Sequence, residues 1–234
     1  MKPVCLITGA GGRLGQLLCA DLAQDHEVVA TYHTAVPRVA SQLQWPIGDD
    51  PSGEERSPAI HCVQADLLSR EDIRRVVEVA HARHGRIDSI VNAAADVRFH
   101  GRLVELWESG DEIVSQLAIN AVAPAQLASA VFQSCWKDQT EENSRWNRSI
   151  VNVSSISGLS VSKDVGQAYY AASKAALNTL TMYLSLELAP YSVRANAICP
   201  ARFANKAETQ RVVDGVRQLI RGRDTGLLVS RVPA

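Results

Sequence analysis

Short runs of β-branched and aliphatic residues alternate with longer helical stretches along the whole chain, and this alternation constrains the fold more than any other feature. Runs at 4–8, 27–32, 60–64, 87–92, 149–154, 193–198 and 227–229 read as strands. Helical spacing occupies residues 13–24, 70–84, 111–136, 167–189 and 208–221 between them. Several strand runs are apolar throughout, as expected when both faces of a parallel sheet are covered. Strand–helix alternation of this kind predicts an α/β fold, a single doubly wound parallel sheet with helices on both faces. The 234 residues suffice for one such domain, and no internal repeat or linker divides residues 1–234.

Two segments break the rhythm. Residues 35–59 carry Pro37, Pro46, Pro51 and Pro58 with Gly48 and Gly53, which predicts an irregular loop in place of a crossover helix. The polar stretch 137–148 predicts a solvated loop. Lysine and arginine total 24 against 25 acidic residues, a net charge of −1 that argues against nucleic acid or an anionic membrane surface as partner. No apolar run approaches the roughly 20 residues a membrane span needs, and the stretch 4–7 is too short for a signal peptide. Five scattered cysteines without a Cys-x-x-Cys pair predict free thiols in a reducing cytoplasm. His81 and His84 lack accompanying Cys or carboxylate clusters, so no metal site is expected. Arg211, Arg217, Arg221 and Arg223 read as a solvated helix face, and Trp45, Trp107, Trp136 and Trp146 as core or interface residues.

The first strand runs into Thr8-Gly9-Ala10-Gly11-Gly12-Arg13-Leu14-Gly15 and then a helix. Glycines at a strand-to-helix turn let the backbone approach a pyrophosphate, whose charge is favoured at the helix N-terminus. An acidic residue about 20 positions later would hold an NAD ribose hydroxyl. Residues 28–48 contain no acid and read Thr31-Tyr32-His33-Thr34, with Arg38 following. Together with Arg13, these donors suit a 2′-phosphate, so the cofactor expected is NADP(H).

Tyr170 and Lys174 stand four residues apart on a helical pattern, so phenol and ammonium share a face. A nearby cation stabilises phenolate and is expected to lower the tyrosine pKa. Tyr169, by the same spacing, faces Ser173 and lacks a cation. Pro124 has no N–H, so the main-chain carbonyl of Asn120 loses its usual helical partner; either it holds a water that relays protons to Lys174, or Pro124 simply bends a long helix to fit the core.

Taken together these motifs resemble the short-chain dehydrogenase/reductase family over nearly the whole chain, which implies a Rossmann-type fold. The glycine turn is similar to the family's Thr-Gly-x-x-x-Gly-x-Gly, and Tyr170/Lys174 to its Tyr-x-x-x-Lys. Asp66-Leu67 resembles the adenine-contacting Asp motif, and Asn92-Ala93-Ala94-Ala95 the Asn-Asn-Ala-Gly motif. Ser155 matches the catalytic serine of Ser-x-x-Gly, Asn120 the catalytic asparagine, and Asn196 to Ala201, with Pro200, the Asn-x-x-x-Pro-Gly beside the nicotinamide. The resemblance implies catalytic Asn120, Ser155, Tyr170 and Lys174. It also implies a cofactor site of Gly9, Gly11, Gly12, Arg13, Leu14, Gly15, His33, Asp66, Leu67, Asn92, Ala93, Ala94, Tyr170, Lys174 and Pro200.

The expected activity is NADPH-dependent reduction of a carbonyl or C=N in a small or carrier-bound metabolite, with Tyr170 as general acid, Ser155 bonding the developing oxyanion, and Lys174 also holding the ribose. The contrasting expectation is a cofactor-binding sensor or scaffold of the same fold. Arg13 in place of a glycine, with Tyr32-His33-Thr34, is similar to the pteridine-reductase branch, although that branch usually has Asp where Ser155 stands. Ala95 and Ala201 replace family glycines. The lid near 201–208 is short, which predicts an open substrate side, a large or carrier-linked substrate, or completion by a neighbouring subunit. The apolar helices 111–136 and 170–189 resemble the family's pairing surface and imply a homodimer or homotetramer.

Overall fold

The computed structural model describes residues 2–38, 60–97, 100–105, 107, 110–161, 166–201 and 205–230. Seven strands form one parallel sheet in the order β3-β2-β1-β4-β5-β6-β7. They are β1 (Val4–Thr8), β2 (Glu27–Tyr32), β3 (Ile60–Gln64), β4 (Ser89–Asn92), β5 (Ser149–Val153), β6 (Arg194–Ile198) and β7 (Leu228–Val229). Chain direction across the sheet reverses between β1 and β4, the crevice where ligands of doubly wound sheets bind.

Every residue of β1, β4, β5 and β6 is buried. The two-residue strand period assigns them to two cores. Leu6, Val29, Ile90 and Ile150 meet α2 (Arg70–His84) through Val76 and α4 (Ala123–Val131) through Leu127. Cys5, Ile7, Val28 and Val151 meet α1 (Arg13–Leu22) through Leu18 and α7 (Lys206–Arg221) through Val216. Helices therefore cover both faces, as the uninterrupted apolar runs predict.

Local chemistry sets the helix ends. Ser69 Oγ accepts from the Asp72 N–H at the start of α2, Glu71 and Asp72 occupy its first turn, and Gly85 closes it at φ 72°. Asn205 Oδ1 accepts the Glu208 N–H, which starts α7 at Lys206, two residues before the helical spacing suggests. Residues 202–204 of the lid lie outside the described residues, as do 39–59 of the expected irregular loop and Trp45.

Four expectations need correction. The stretch 137–148 is not simply a loop: α5 (Thr140–Arg145) lies within it, with Glu141 and Glu142 in its first turn and Arg145 in its last. Asn143 and Arg148 are buried there, because Asn143 Nδ2 donates to the carbonyls of Trp136 and Tyr191 and Arg148 bonds Asn143 and Asp88. The run 111–136 is not one α-helix. It divides into α3 (Gly110–Leu117), a wider π-turn at Ala118–Val122, α4, and a second π-turn at Phe132–Trp136. The continuous helical stretch Gly110–Trp136 is, by length and apolarity, sufficient to cross a membrane, contrary to the expectation that no run is. In this fold 44% of its most apolar window is buried, and Leu127, Val131 and Trp136 enter the core. Finally, the expected solvated arginine face fails at Arg217, which is only 16% exposed, whereas Arg211, Arg221 and Arg223 stay exposed. Arg217 donates to Asp21 and Asp25 at 2.7 and 2.6 Å, Arg221 bonds Asp25 at 2.7 Å, and together they fasten α7 to α1. Of the described tryptophans, Trp136 is core, Trp146 lies under the Arg86 guanidinium, and Trp107 is 96% exposed.

Candidate active site

All seven strands are parallel, so their C-terminal ends meet at one edge. A cavity of about 620 Å³ opens there, running from the glycine turn past the ends of β2, β3 and β4 to α6 (Ala168–Leu188).

The glycine turn is shaped by contact. Thr8 Oγ1 accepts from the N–H groups of Ala93 and Ala94 at 3.1 and 3.2 Å, joining the ends of β1 and β4. A Cβ on Gly15 would sit 2.2 Å from the Gly9 carbonyl oxygen, and one on Gly9, at φ +73°, 2.7 Å from the Ala94 backbone. These two positions admit no side chain. Gly12 begins α1 without a side-chain cap, and the first turn has no acid. The helix N-terminus thus keeps its positive end for an external anion.

Of the expected cofactor residues, Gly9, Gly12, Arg13, Leu14, Gly15, His33, Asp66, Leu67, Ala93, Ala94, Tyr170 and Lys174 line the cavity. Three are outside its lining. A Cβ on Gly11 would strike the Ala35 carbonyl oxygen at 2.0 Å, so this glycine serves the packing of the loop after β2. Asn92 is buried and donates to Asn152 Oδ1 at 2.8 Å, crosslinking β4 and β5. The Pro200 carbonyl accepts the Ile156 N–H at 3.0 Å, bracing the turn after Ser155. Thr31, Tyr32 and His33 form the cavity wall at the end of β2 and include no carboxylate, while Asp66 Oδ1 accepts the Leu68 N–H after β3. Sequence reasoning missed Asp96, Val97, Ser115 and Ile119 in the wall. Asp96 and Val97 directly continue the Asn92–Ala95 motif, and Ser115 and Ile119 share a helix face just before Asn120, so position relative to known motifs could have found them.

At the far end α6 delivers Tyr170 and Lys174 to the wall, while Ser155, buried just after β5, lies outside the lining. Ser155 starts a 3₁₀ turn (Ile156–Gly158) and its Oγ accepts the Ser157 N–H at 3.1 Å. A Cβ on Gly158 would lie 2.6 Å from the Lys174 backbone, so only glycine lets this turn press against α6. That approach brings the Ser155 hydroxyl into hydrogen bonding with the Tyr170 phenol. Lys174 is 2% exposed, and its Nζ donates to the Val153 carbonyl at 2.9 Å. Burial pushes the ammonium down to about 8.

One electrostatic expectation fails. The phenol of Tyr170 is pushed up rather than down, because burial outweighs the Ser155 hydrogen bond. The ammonium lies 5.9 Å from the Tyr170 ring centroid and is engaged with Val153, so it does not offset the cost of desolvating a phenolate here.

Asn120 is fully buried on the first π-turn and lies outside the cavity lining. Its Oδ1 accepts the Asp96 N–H at 2.7 Å, and its Nδ2 donates to the Asp96 carbonyl at 2.8 Å and to Ser173 Oγ at 3.1 Å. The π-turn, closed by the Ala123 N–H to the Ala118 carbonyl, ends just before Pro124. Pro124 lacks the N–H that an α-helix would offer the Asn120 carbonyl. Among the described residues no group of three or more His, Cys, Asp or Glu could hold a metal ion.

The family pattern for short chain dehydrogenase matches residues 3–214. The chain belongs to that family. This short-chain dehydrogenase is 34% identical over 200 residues to dehydrogenase/reductase SDR family member 4 of Pongo abelii, covering 84% of this chain and 64% of that protein. It therefore spans somewhat less than two thirds of that relative's length. It is 30% identical over 221 residues to an acetoacetyl-CoA reductase of Allochromatium vinosum (94% and 82% covered). It is 29% identical over 230 residues to a 3-oxoacyl-[acyl-carrier-protein] reductase of Thermotoga maritima (98% and 82% covered). Among solved structures, 3-ketoacyl-(acyl-carrier-protein) reductase of Brucella melitensis complexed with NADH superposes with a TM-score of 0.79 at 22% identity, covering 97% and 96% of the two chains. A short-chain dehydrogenase of Leptospira borgpetersenii with bound NAD+ gives 0.77 at 22% identity, covering 98% and 91%. This short-chain dehydrogenase thus shares their fold and belongs to an oxidoreductase family.

Proposed function

We propose that this short-chain dehydrogenase uses NADPH to reduce a ketone, aldehyde or C=N group on a small or carrier-linked metabolite, with Asn120, Ser155, Tyr170 and Lys174 as its working set. The observation that carries the reading is one continuous cavity, with a glycine turn closed to side chains at one end and Tyr170 and Lys174 in its wall at the other, Ser155 bonding the Tyr170 phenol from just outside the lining. A bound nicotinamide dinucleotide supplies the hydride. Tyr170 gives its proton to the substrate oxygen or nitrogen, and Ser155 bonds that atom as negative charge develops. Lys174, the buried cation beside them, would hold the ribose hydroxyls of that nucleotide. The Asn120 carbonyl holds the water that returns the proton.

Preference for the 2′-phosphate rests on the acid-free end of β2 and on Arg13 and His33 in the same cavity wall. Gly11, Asn92 and Pro200 support the cavity from behind its wall instead of touching the cofactor. For the substrate, Val97, Leu103, Val104, Ile156, Leu159 and Val161 stay exposed on the segments after β4 and β5. A hydrogen bond from the Gly101 N–H to the Gly166 carbonyl links the first of these segments to the entry of α6. An apolar rim beside the reacting pair suits an acyl chain. The names of the acetoacetyl-CoA and 3-oxoacyl reductases support a thioester-linked acyl group.

Val114, Val122, Met182, Tyr183 and Leu186 leave apolar side chains exposed on the outer helices, supporting a homodimer or homotetramer. Five free cysteines, four of them buried, support a reducing, cytoplasmic setting.

The test is loss of reduced-nicotinamide absorbance against 3-oxoacyl thioesters, free ketones, aldehydes and a dihydropterin, with NADH alongside NADPH. Tyr170→Phe should lower turnover by about 10²–10⁴ while NADPH still binds. Arg13→Ala should weaken NADPH about tenfold and leave NADH unchanged. Equal turnover by wild type and Tyr170→Phe would overturn the catalytic assignment, and equal use of both cofactors the NADP(H) assignment.

A further inference from the structure

Ser173 lies between Tyr170 and Lys174, is fully buried, and does not line the cavity. Its hydroxyl nevertheless makes two bonds. It donates to the Tyr170 carbonyl one turn back at 2.7 Å and accepts from Asn120 Nδ2 at 3.1 Å. With both Asp96 bonds made, this contact engages both donor protons of the Asn120 amide while its oxygen accepts one bond. Gln116 Nε2 adds a 3.3 Å bond to the same Asp96 carbonyl.

The result is a buried relay of fixed parts running from Asp96, a wall residue, through the Asn120 amide and the Ser173 hydroxyl to the backbone that carries Tyr170. Each joint has a defined direction. The serine can accept from Asn120 only because its own proton goes to the Tyr170 carbonyl, and the amide can reach the serine only because Asp96 fixes its flip. Deleting the hydroxyl would leave an Asn120 N–H buried without a partner. The amide would then rotate, or the first turns of α6 would move, and either shifts the phenol relative to the cavity wall.

We infer that Ser173 is a positioning residue, which holds Tyr170 in register with the cavity wall by locking Asn120 to the first turns of α6. Its effect on rate rests on the reductase reading of Tyr170, whereas the lock itself does not. Displacement of a reacting group by about 1 Å can cost 10² in rate. Ser173→Ala should therefore lower kcat tenfold to a hundredfold, with KM and the NADPH Kd changed less than about twofold. Ser173→Thr, which keeps the hydroxyl, should recover most of the loss. In an Asn120→Ala background Ser173→Ala should have no further effect, because the joint is already open.

A readout independent of turnover is the Asp96 amide, which donates to Asn120 Oδ1. Its hydrogen exchange should accelerate at least about fivefold in Ser173→Ala. Unchanged exchange at Asp96, or additive losses in the double variant, overturns the inference. If wild-type protein binds NADPH but turns over nothing in the panel, the reductase reading falls and the exchange experiment still decides the lock.

Discussion

A buried ammonium without a carboxylate beside it should leave a signature in the pH dependence of stability, and Lys174→Met isolates it. The ordinary lysine value of 10.5 falls to about 8 in the fold, mainly through burial. Between those two values the unfolded chain binds more protons than the native protein, so native stability rises with pH across that window. Below about pH 8 both states are protonated and the cost is present in full. The gap corresponds to about 3 kcal/mol. Methionine fills similar space without a charge, so it removes the titration, although it also leaves the Val153 carbonyl without its donor. That second loss does not depend on pH. The quantity to measure is therefore the wild-type minus Lys174→Met difference in urea-unfolding free energy, taken without nucleotide from about pH 7 to about pH 10.5. It should rise by about 3 kcal/mol in favour of wild type. Burial also raises the thiols of Cys5 and Cys19, so both proteins lose stability as unfolded thiols ionise, but this is common to the pair and cancels. A difference flat to within about 0.5 kcal/mol would show that Lys174 is not desolvated as its burial implies, and would remove the electrostatic basis for its catalytic role.

Gly15→Ala should lower stability by about 1–3 kcal/mol and abolish dinucleotide binding, since its Cβ would meet the Gly9 oxygen at 2.2 Å. Gly12→Ala meets nothing nearer than 3.4 Å and should keep the fold, which thermal unfolding of the two variants will compare. Asp88→Ala should cost about 3–5 kcal/mol in urea unfolding, because it strips the carboxylate from the buried guanidinium of Arg148 and from Arg86. Burial pushes Asp25 up, but hydrogen bonds from Arg221, His26 and Arg217 hold it at about 2 against an ordinary 3.8. Its contribution is present above about pH 4 and is lost as pH falls toward 2, so the destabilisation by Arg217→Ala should shrink over that interval in acid titration.

The sheet was legible because its signals are local and redundant. Strands at 4–8, 27–32 and 60–64 have the expected bounds, since each ends at a turn or helix cap written in the next few residues. The helix α5 was not legible, because its reason for forming is remote. Asn143 is held by carbonyls of Trp136 and Tyr191, and Arg148 by Asp88, so a polar sequence is buried by tertiary partners. In the site, motif positions led to twelve residues that line the cavity, but which motif residues would stand behind the wall was not readable. Gly11 and Asn92 have motif positions yet face Ala35 and Asn152 instead of the cavity. The direction of the Tyr170 shift was misjudged because spacing along a helix fixes a shared face and not where a lysine's last four bonds lead. Here they lead to Val153.

The two edges of the sheet divide stability from chemistry. At the N-terminal edge Asp88 and Arg194 are richly bonded: Asp88 accepts from the Val4 N–H, Arg86 and Arg148, while Arg194 donates to the carbonyls of Leu219, Ile220, Asp224 and Asn147. At the C-terminal edge the helix N-terminus has no side-chain cap, the phenol is costly to ionise, and the lysine has a backbone carbonyl where a carboxylate would hold it better. A protein can retain such an arrangement only if the rest of the fold supplies the missing stability. The contrast is open to measurement in matched pairs. Asp88 and Arg194 substitutions should lower the unfolding free energy and leave NADPH affinity of the folded fraction unchanged. Lys174→Met should weaken NADPH binding while costing far less stability than either. Should Lys174→Met prove as destabilising as Asp88→Ala at neutral pH, the division fails, and the lysine belongs with the charges that hold the fold together.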